Sequence, residues 1–517
     1  MKCYSGFLPL LMVFMTVRPA SCAESGQGLT PEEAAAEKRL QEEYPGYQGV
    51  DSDYRHAGKE AIERWKDWKL GLRIHWGVYS VLGVEPSWSL KGSSPEFQRI
   101  YHTLYQGFNP VAFDADEWME IMKRGGIKYF TITSMHCDGF CLWPTERKLK
   151  GWKRPVGGGS GAAGGIGPVE PAEIHYSIAE TPYRKDVLAQ LVAAGRKHNI
   201  GIGFYFSHEN WLDPDFGWHR FDASNVRYDN PGFDEASDPE RWKRFIEKER
   251  LQLREMATRY GPLDDISFDC SWPKEAFAEL VDIVKMVRRH QPAVMMRNRG
   301  IQQYGDYGTP EQNIPQGADP SSAKAAAGAE GRAMPWQLIY HIGRGWGYLP
   351  NDQYQSKEWM LATLIDVVAK GGNMQVGFGP PASGKWQPEM VDRLEYLGDW
   401  LKVNGEAIYK TRSRGGDLWK EGDDVRFTRS KDHRYVYAIC LKWPGERLAL
   451  RSVRAKEGSQ IRMLGAPTPL PWRSDADAVV ITIPADIERS KPCAQAYAFK
   501  IEVERPAENV SGRKEEK

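Results

Sequence analysis

The chain has 517 residues, 41% hydrophobic and 27% charged, which excludes wholesale disorder and asks for about two or three domains. Its 69 basic and 69 acidic residues cancel to a formal net charge of zero, leaving no basic footprint for nucleic acid or a membrane surface. The 19 tryptophans and 23 tyrosines lean slightly toward carbohydrate, since aromatic faces suit sugar rings, although most Trp is core.

At the N-terminus, Lys2 precedes an apolar run from Phe7 to Met15 and a small-x-small site at Ser21-Cys22-Ala23. Residues 1–23 therefore read as a secretory signal cleaved after Ala23, with an apolar stretch too short to span a bilayer. The alternative, lipidation at Cys22, is poorly served by Pro19. No other segment is long and apolar enough for a membrane span, so the expectation is a soluble chain, secreted or periplasmic. Residues 24–59 read as an N-terminal charged helical segment on the surface.

From 60 to 408 short apolar runs alternate with amphipathic helices. The runs are "LGLRIHWG", "KYFTITS", "IGIGFYFS", "DDISFDC", "AVMMRN", "WQLIYHIG" and "NMQVGFG". Between them, "FDADEWMEIMKRGG" has acids at its start and glycines at its end. "DPERWKRFIEKERLQLREMATRYG" sets Trp242, Phe245, Ile246, Leu253, Met256 and Tyr260 on one stripe. Strand–helix alternation over about seven or eight units predicts a (β/α) barrel of irregular TIM type. A doubly wound sheet is the alternative, but the first strand leads into "IHWGVYS" rather than a Gly-rich phosphate turn. Residues 409–505 hold short, partly alternating runs with turn residues between them, which predicts a C-terminal antiparallel β-sandwich. Residues 506–517 are a polar tail. "GGGSGAAGGIG" (157–167) lacks the Lys-Ser/Thr of a P-loop. It and "SSAKAAAGAEGRA" (321–333) read as flexible insertions in barrel loops.

Beyond the signal lie Cys137, Cys141, Cys270, Cys440 and Cys493, an odd and sparse set that is no disulfide framework. Cys137 and Cys141 have no second pair to complete a zinc site. Free buried thiols are expected, with Cys440–Cys493 the one bridge left open.

Side chains at the carboxyl ends of barrel strands face the active site. Those ends carry His75, His136 with Asp138, Ser207 with His208, Asp269, and Asn298 with Arg299. Any one alone is explained as a structural hydrogen-bonder; together they place polar groups on one rim. Hydrolysis of a glycoside needs two carboxyl groups flanking the scissile bond. Asp269, at the end of the apolar run "DDISFDC", is held rigidly enough to be one. Glu311, in "GDYGTPEQNIP" on a loop after the fifth strand, is a candidate for the other, although alone it reads as a solvated loop residue. A metal-dependent hydrolase built on His75, His136 and Asp138 is a competing reading that needs a supporting shell.

"WKDWKLGLRIHWGVYSV", "FDADEWMEIMKRGGIKYFTITSMHCDGFCLW", "ISFDCSW", "GDYGTPEQNIP", "GWGYLPND", "KGGNMQVGFGP" and "LGDWLKVNGEAIY" follow one another over about residues 60–410. In order and spacing they resemble the blocks of the α-L-fucosidases, glycoside hydrolase family 29. The resemblance implies a (β/α) barrel with a C-terminal β-sandwich, no metal or organic cofactor, and a fucose-containing oligosaccharide or glycoconjugate as substrate; it leaves the oligomeric state open. Residue by residue, it implies Asp269 as nucleophile and Glu311, 42 residues on (311 − 269), as acid/base. His75 and His136 would bind sugar hydroxyls, Trp88 would line the pocket, and Arg299 would contact the sugar. Four positions depart from the family pattern. Cys137 stands for a histidine, Ser87 for a glutamate, Phe206 for the second residue of a tyrosine pair, and Gly377 for an asparagine. Lost hydrogen-bond partners change sugar discrimination strongly. An α-L-galactoside or substituted fucose is thus the alternative substrate, and a carbohydrate-binding protein without turnover the alternative role.

Overall fold

The computed structural model describes residues 28–154, 168–217, 237–272, 274, 276–317, 334–475 and 477–504. The expected signal (1–23), the two Gly/Ala-rich insertions (157–167 and 321–333) and the tail (506–517) lie outside the described residues.

The apolar runs become β1 (Leu70–Ile74), β2 (Tyr129–Met135), the hairpin arms β3 (Leu149–Lys153) and β4 (Glu170–Ile174), β5 (Gly201–Ser207), β6 (Asp265–Asp269), β7 (Met295–Met296), β8 (Gln337–His341) and β9 (Asn373–Phe378). Seven of them form one parallel sheet, in the order β7-β6-β5-β2-β1-β9-β8. Parallel strands are covered on both faces, so they read as apolar runs rather than alternating ones. β1, β2, β5 and β9 are buried at every residue. Helices Ala115–Arg124, Val187–His198 and Pro388–Asn404 pack side by side, as do Pro239–Arg259 and Phe277–His290.

The two edge strands meet through an extended stretch, 307–312. Parallel bridges tie Tyr307 to Arg297, Gly308 to Trp336 and Glu311 to Ile339. Asn298 N donates to the Tyr307 carbonyl at 3.0 Å, Gln337 N to Gly308 at 3.0 Å, and Gln312 N to Ile339 at 3.0 Å. This eighth stave, outside any named strand, links the two edges of the curled sheet and carries Glu311 on the connection between β7 and β8. Pro310 supplies no N–H and Gly308 no side chain, so the stave is too irregular to show as a strand in the sequence.

The barrel floor is polar and tightly filled. The Tyr129 hydroxyl bonds Gln337, and the buried Asp265 carboxylate accepts from Tyr307 at 2.6 Å and Thr131 at 2.9 Å. Burial raises Asp265 to about 6. A Cβ on Gly71 would stand 2.6 Å from the Tyr129 ring. Gly71→Ala is therefore expected to cost roughly 1–3 kcal/mol through overpacking, read as a lower Tm. An unchanged Tm would show that Tyr129 is free to move.

The N-terminal segment is not a surface appendage. Its helix, Pro31–Glu43, carries a Thr30/Glu33 capping box. Leu40, Tyr47 and Ala57 are buried in one cluster with Ile62, Trp65, Met295 and Tyr307, at the amino ends of the strands. Glu37 accepts from the His56 amide at 2.8 Å and pairs with its Nδ1 at 2.7 Å. The segment's high charge masked these few buried residues.

The C-terminal region contains β10 (Lys420–Glu421), β11 (Val425–Arg429), β12 (Tyr435–Cys440), β13 (Arg447–Leu450), β14 (Ile461–Met463), β15 (Trp472–Asp475), β16 (Ala478–Thr482) and β17 (Tyr497–Glu502). They form two antiparallel sheets, β10-β11-β12-β17-β14 and β13-β16-β15, around Phe427, Leu450, Ile481 and Phe499. One short helix, Ala485–Arg489, intervenes where none was expected. Trp400 Nε1 bonds the Ala496 carbonyl at 2.8 Å and joins the sandwich to the barrel. Cys440 and Cys493 are free thiols, so the bridge left open by the sequence is not formed. Among the described residues no helix is long and apolar enough to cross a membrane.

Candidate active site

At the carboxyl ends of the staves, Asp269 closes β6. Its Oδ2 accepts from the Tyr205 hydroxyl of β5 at 2.8 Å, and its Oδ1 accepts from Arg299 Nη1 at 2.8 Å. The other end of the same guanidinium, Nη2, reaches Glu311 Oε2 at 2.6 Å. Behind it Arg297 repeats the pattern at longer range, 3.5 Å to each carboxylate. Thr309 on the eighth stave accepts from Arg297 Nε at 2.6 Å and fixes its plane. Two carboxylates thus share two guanidiniums, which sets their separation by the width of one guanidinium and its hydrogen bonds.

Burial alone would raise the Asp269 carboxyl, but Arg299, Arg297 and Arg73, with the Tyr205 hydrogen bond, hold it well below the usual carboxylate range. Arg73, buried on β1, donates to Ser267 Oγ at 2.9 Å and lies 4.8 Å over the Tyr205 ring. Right after Asp269 the chain turns through Cys270 at φ 69°, a left-handed conformation that a non-glycine residue holds only under constraint.

His75 follows β1 and faces Trp346, Tyr205 and His136 at ring distances of 5.0, 5.5 and 5.8 Å. Burial, with Arg73 and His136 nearby, keeps it neutral, well below the usual imidazole range. His136 follows β2 and stacks on Tyr205 at 5.5 Å. Its Nδ1 lies 2.7 Å from Ser87 Oγ, which also accepts from the Asp138 amide at 2.9 Å. The serine at the family's glutamate position thus orients the imidazole. Against the effect of burial, Cys137, Asp138 and Asp269 nearby raise the His136 pKa above the usual imidazole value.

Trp88 stands at the rim, 43% exposed, edge-on to Trp211 at 5.3 Å. Its neighbour Ser87 links it to His136. Asp269, Glu311, Arg299, His75 and His136 therefore gather at one end of the barrel, with Trp88 beside them.

The competing metal reading does not assemble. Asp138 spends its carboxylate on Tyr101 at 2.8 Å and the Phe140 amide at 2.9 Å. His208 is buried against Glu249 at 2.8 Å and stacked on Phe268. Asn298 Nδ2 lies 3.6 Å from the Met334 sulfur.

Sequence reading passed over Arg73, Arg297 and Trp346. The signal for the arginines was a cation inside each of the apolar runs "LGLRIHWG" and "AVMMRN"; a buried charge needs a partner. Trp346 had no such signal. The Glu85 carboxylate holds its amide at 3.0 Å. A Cβ on Gly377 would come within 2.7 Å of its ring, so this departure from the family pattern makes the space that Trp346 fills.

The "Alpha-L-fucosidase" family model matches residues 41–406, and the "Alpha-L-fucosidase C-terminal domain" model matches 420–502. Plasma alpha-L-fucosidase of Rattus norvegicus is 25% identical over 484 residues, covering 87% of this chain and 94% of its own. Tissue alpha-L-fucosidase of Homo sapiens is 25% identical over 479 residues, covering 87% and 91%. An alpha-L-fucosidase GH29 from Bacteroides thetaiotaomicron superposes with TM-score 0.68 at 24% identity, covering 89% of this chain and 97% of that one. A trapped covalent intermediate of an enzyme from the same organism, with 2-fluoro-fucosyl fluoride, gives 0.67 at 24%, covering 89% and 99%. These structural likenesses concern the fold. The family models span both the barrel and the sandwich, and the chain belongs to the α-L-fucosidase family of glycoside hydrolases, family 29.

Proposed function

We propose that this chain is an exported, retaining exo-glycosidase that removes terminal α-L-fucosyl groups from oligosaccharides or glycoconjugates. Residues 1–23 are the export signal, 60–408 the catalytic domain and 409–505 the accessory sandwich. Asp269 attacks the anomeric carbon as the glycosidic C–O bond breaks, and Glu311 gives its proton to the departing oxygen. Glu311 then takes a proton from water, whose oxygen attacks the same carbon and displaces Asp269. The single observation that carries this reading is the Arg299 guanidinium shared by Asp269 and Glu311 at the barrel mouth.

The arginines have different consequences for the two acids. They favour an ionised Asp269, as a nucleophile needs. Glu311 is instead tied by its 2.6 Å contact with Arg299, from which bound sugar has to draw it toward the glycosidic oxygen. His75 and His136 supply hydroxyl contacts, and Trp88 an apolar wall.

Because Arg297 helps keep Asp269 ionised, Arg297→Gln is expected to raise the Asp269 pKa and move the acid limb of kcat/KM to higher pH. An acid limb that stays in place would separate Arg297 from the nucleophile.

Cys137, Ser87 and the Gly377–Trp346 contact favour a second reading, the same mechanism on an α-L-galactoside or a substituted fucose. Assays of the purified protein on aryl α-L-fucoside and aryl α-L-galactoside separate the two. Fucoside turnover is the expected result; preference for the galactoside selects the second reading, and turnover of neither contradicts both.

A further inference from the structure

Three neighbouring staves, β2, β5 and β6, end in groups that the hydrolytic reading does not use. Cys137 lies two residues past β2, Glu209 two past β5, and Cys270 directly after Asp269. The two sulfurs are 3.4 Å apart, and Ser207 Oγ lies 3.2 Å from one and 3.3 Å from the other. One ligand atom from each of Cys137, Glu209 and Cys270 lies within 4.8 Å of the other two. Among the described residues this is the one such group of three His, Cys, Asp or Glu side chains.

We propose that Cys137, Cys270 and Glu209 bind a thiophilic divalent cation, zinc or cadmium, directly behind Asp269. Two thiolates each ~2.3 Å from a tetrahedral zinc stand ~3.8 Å apart, so the observed pair needs only a small opening. Two sulfurs and a carboxylate are donors for a borderline-soft ion rather than for magnesium or calcium. Glu209 supplies an independent sign. It is 2% exposed; its Oε2 accepts from Trp211 Nε1 at 2.8 Å, while its Oε1 is buried without a well-formed hydrogen bond, and although the Ser271 amide lies close enough to the carboxyl group to favour its charge, burial pushes it up to about 8. An oxygen stranded in this way is costly unless something binds it. Trp211 acts as the outer hydrogen bond that typically orients a metal-binding carboxylate. Cys137 is buried and Cys270 half-buried.

The sequence pairs Cys137 with Cys141 instead, but Cys141 Sγ faces Gln252 Nε2 at 3.0 Å. The site forms only because the barrel brings residues 133 positions apart into contact.

The test is cadmium chloride titrated into the full chain after reduction with a phosphine and a count of free thiols. The expected result is an ultraviolet thiolate-to-cadmium charge-transfer band that saturates at one ion per chain. Cys137→Ser and Cys270→Ser should each abolish the band, Glu209→Gln should weaken binding about tenfold or more, and Cys141→Ser should leave it intact. Zinc should also raise the Tm of the reduced wild type more than that of Glu209→Gln, a comparison that stands even if a cysteine variant misfolds. The proposal is overturned by free thiols without a band, by a band that survives in Cys137→Ser, or by a Cys137–Cys270 disulfide that resists reduction. None of these readouts requires turnover, so they stand or fall separately from the glycosidase reading.

Discussion

Asp269→Gly will lower hydrolysis of an aryl α-L-fucoside by on the order of 10⁵-fold, the scale on which an enzyme loses its covalent nucleophile. Sodium azide will restore turnover of the activated substrate. The strand end holds Asp269 against Tyr205 and Arg299 at 2.8 Å each, so removing its carboxyl group leaves a small anion-sized space beside two guanidiniums. Azide attacking from there gives a glycosyl azide of inverted anomeric configuration. The small residue matters: Asp269→Asn would fill the space and block rescue. If azide yields no sugar azide while the variant remains folded, Asp269 is not the nucleophile.

Glu311→Ala has a different signature. A positioned general acid is worth roughly 10²–10⁴-fold, but only where the leaving group needs a proton. Hydrolysis of a natural fucosyl disaccharide should therefore fall by about that factor, while glycosylation by a fucosyl fluoride or dinitrophenyl fucoside falls far less. The loss also frees Arg299 from its 2.6 Å contact, so the variant's structure should show whether Arg299 still holds Asp269. Equal slowing of good and poor leaving groups would assign Glu311 to positioning rather than to proton transfer.

The barrel and sandwich were legible because their strands are short apolar or alternating runs, and because helix ends such as Asp114 at Ala115–Arg124 carry caps in the sequence. The rim was legible for a related reason: His75, His136 and Asp269 each sit where an apolar run stops. Glu311 was a candidate from its place after the fifth strand, and the resemblance singled it out as acid/base; its stave contains Pro310 and leaves no strand pattern. Arg73, inside β1, and Arg297, directly after β7, lay within quoted runs yet went unread, because attention to the last residues of a run hides a charge before them. The Cys137–Cys270 contact had no local signal at all. The sequence left open whether the contacts at Ser87 and Gly377 were missing or rearranged; the Ser87 hydroxyl meets His136, and Trp346 takes the space at Gly377.

The central claim is that Asp269 becomes covalently glycosylated. A 2-deoxy-2-fluoro-fucosyl fluoride tests it most directly: the C2 fluorine slows both steps, and fluoride leaves without a proton from Glu311, so the intermediate accumulates. Peptide mapping by mass spectrometry of the inactivated chain should place one 2-fluorofucosyl group on Asp269 within "DDISFDCSW". A label on any other residue, or an enzyme that hydrolyses fucosides without acquiring the label, would contradict the account.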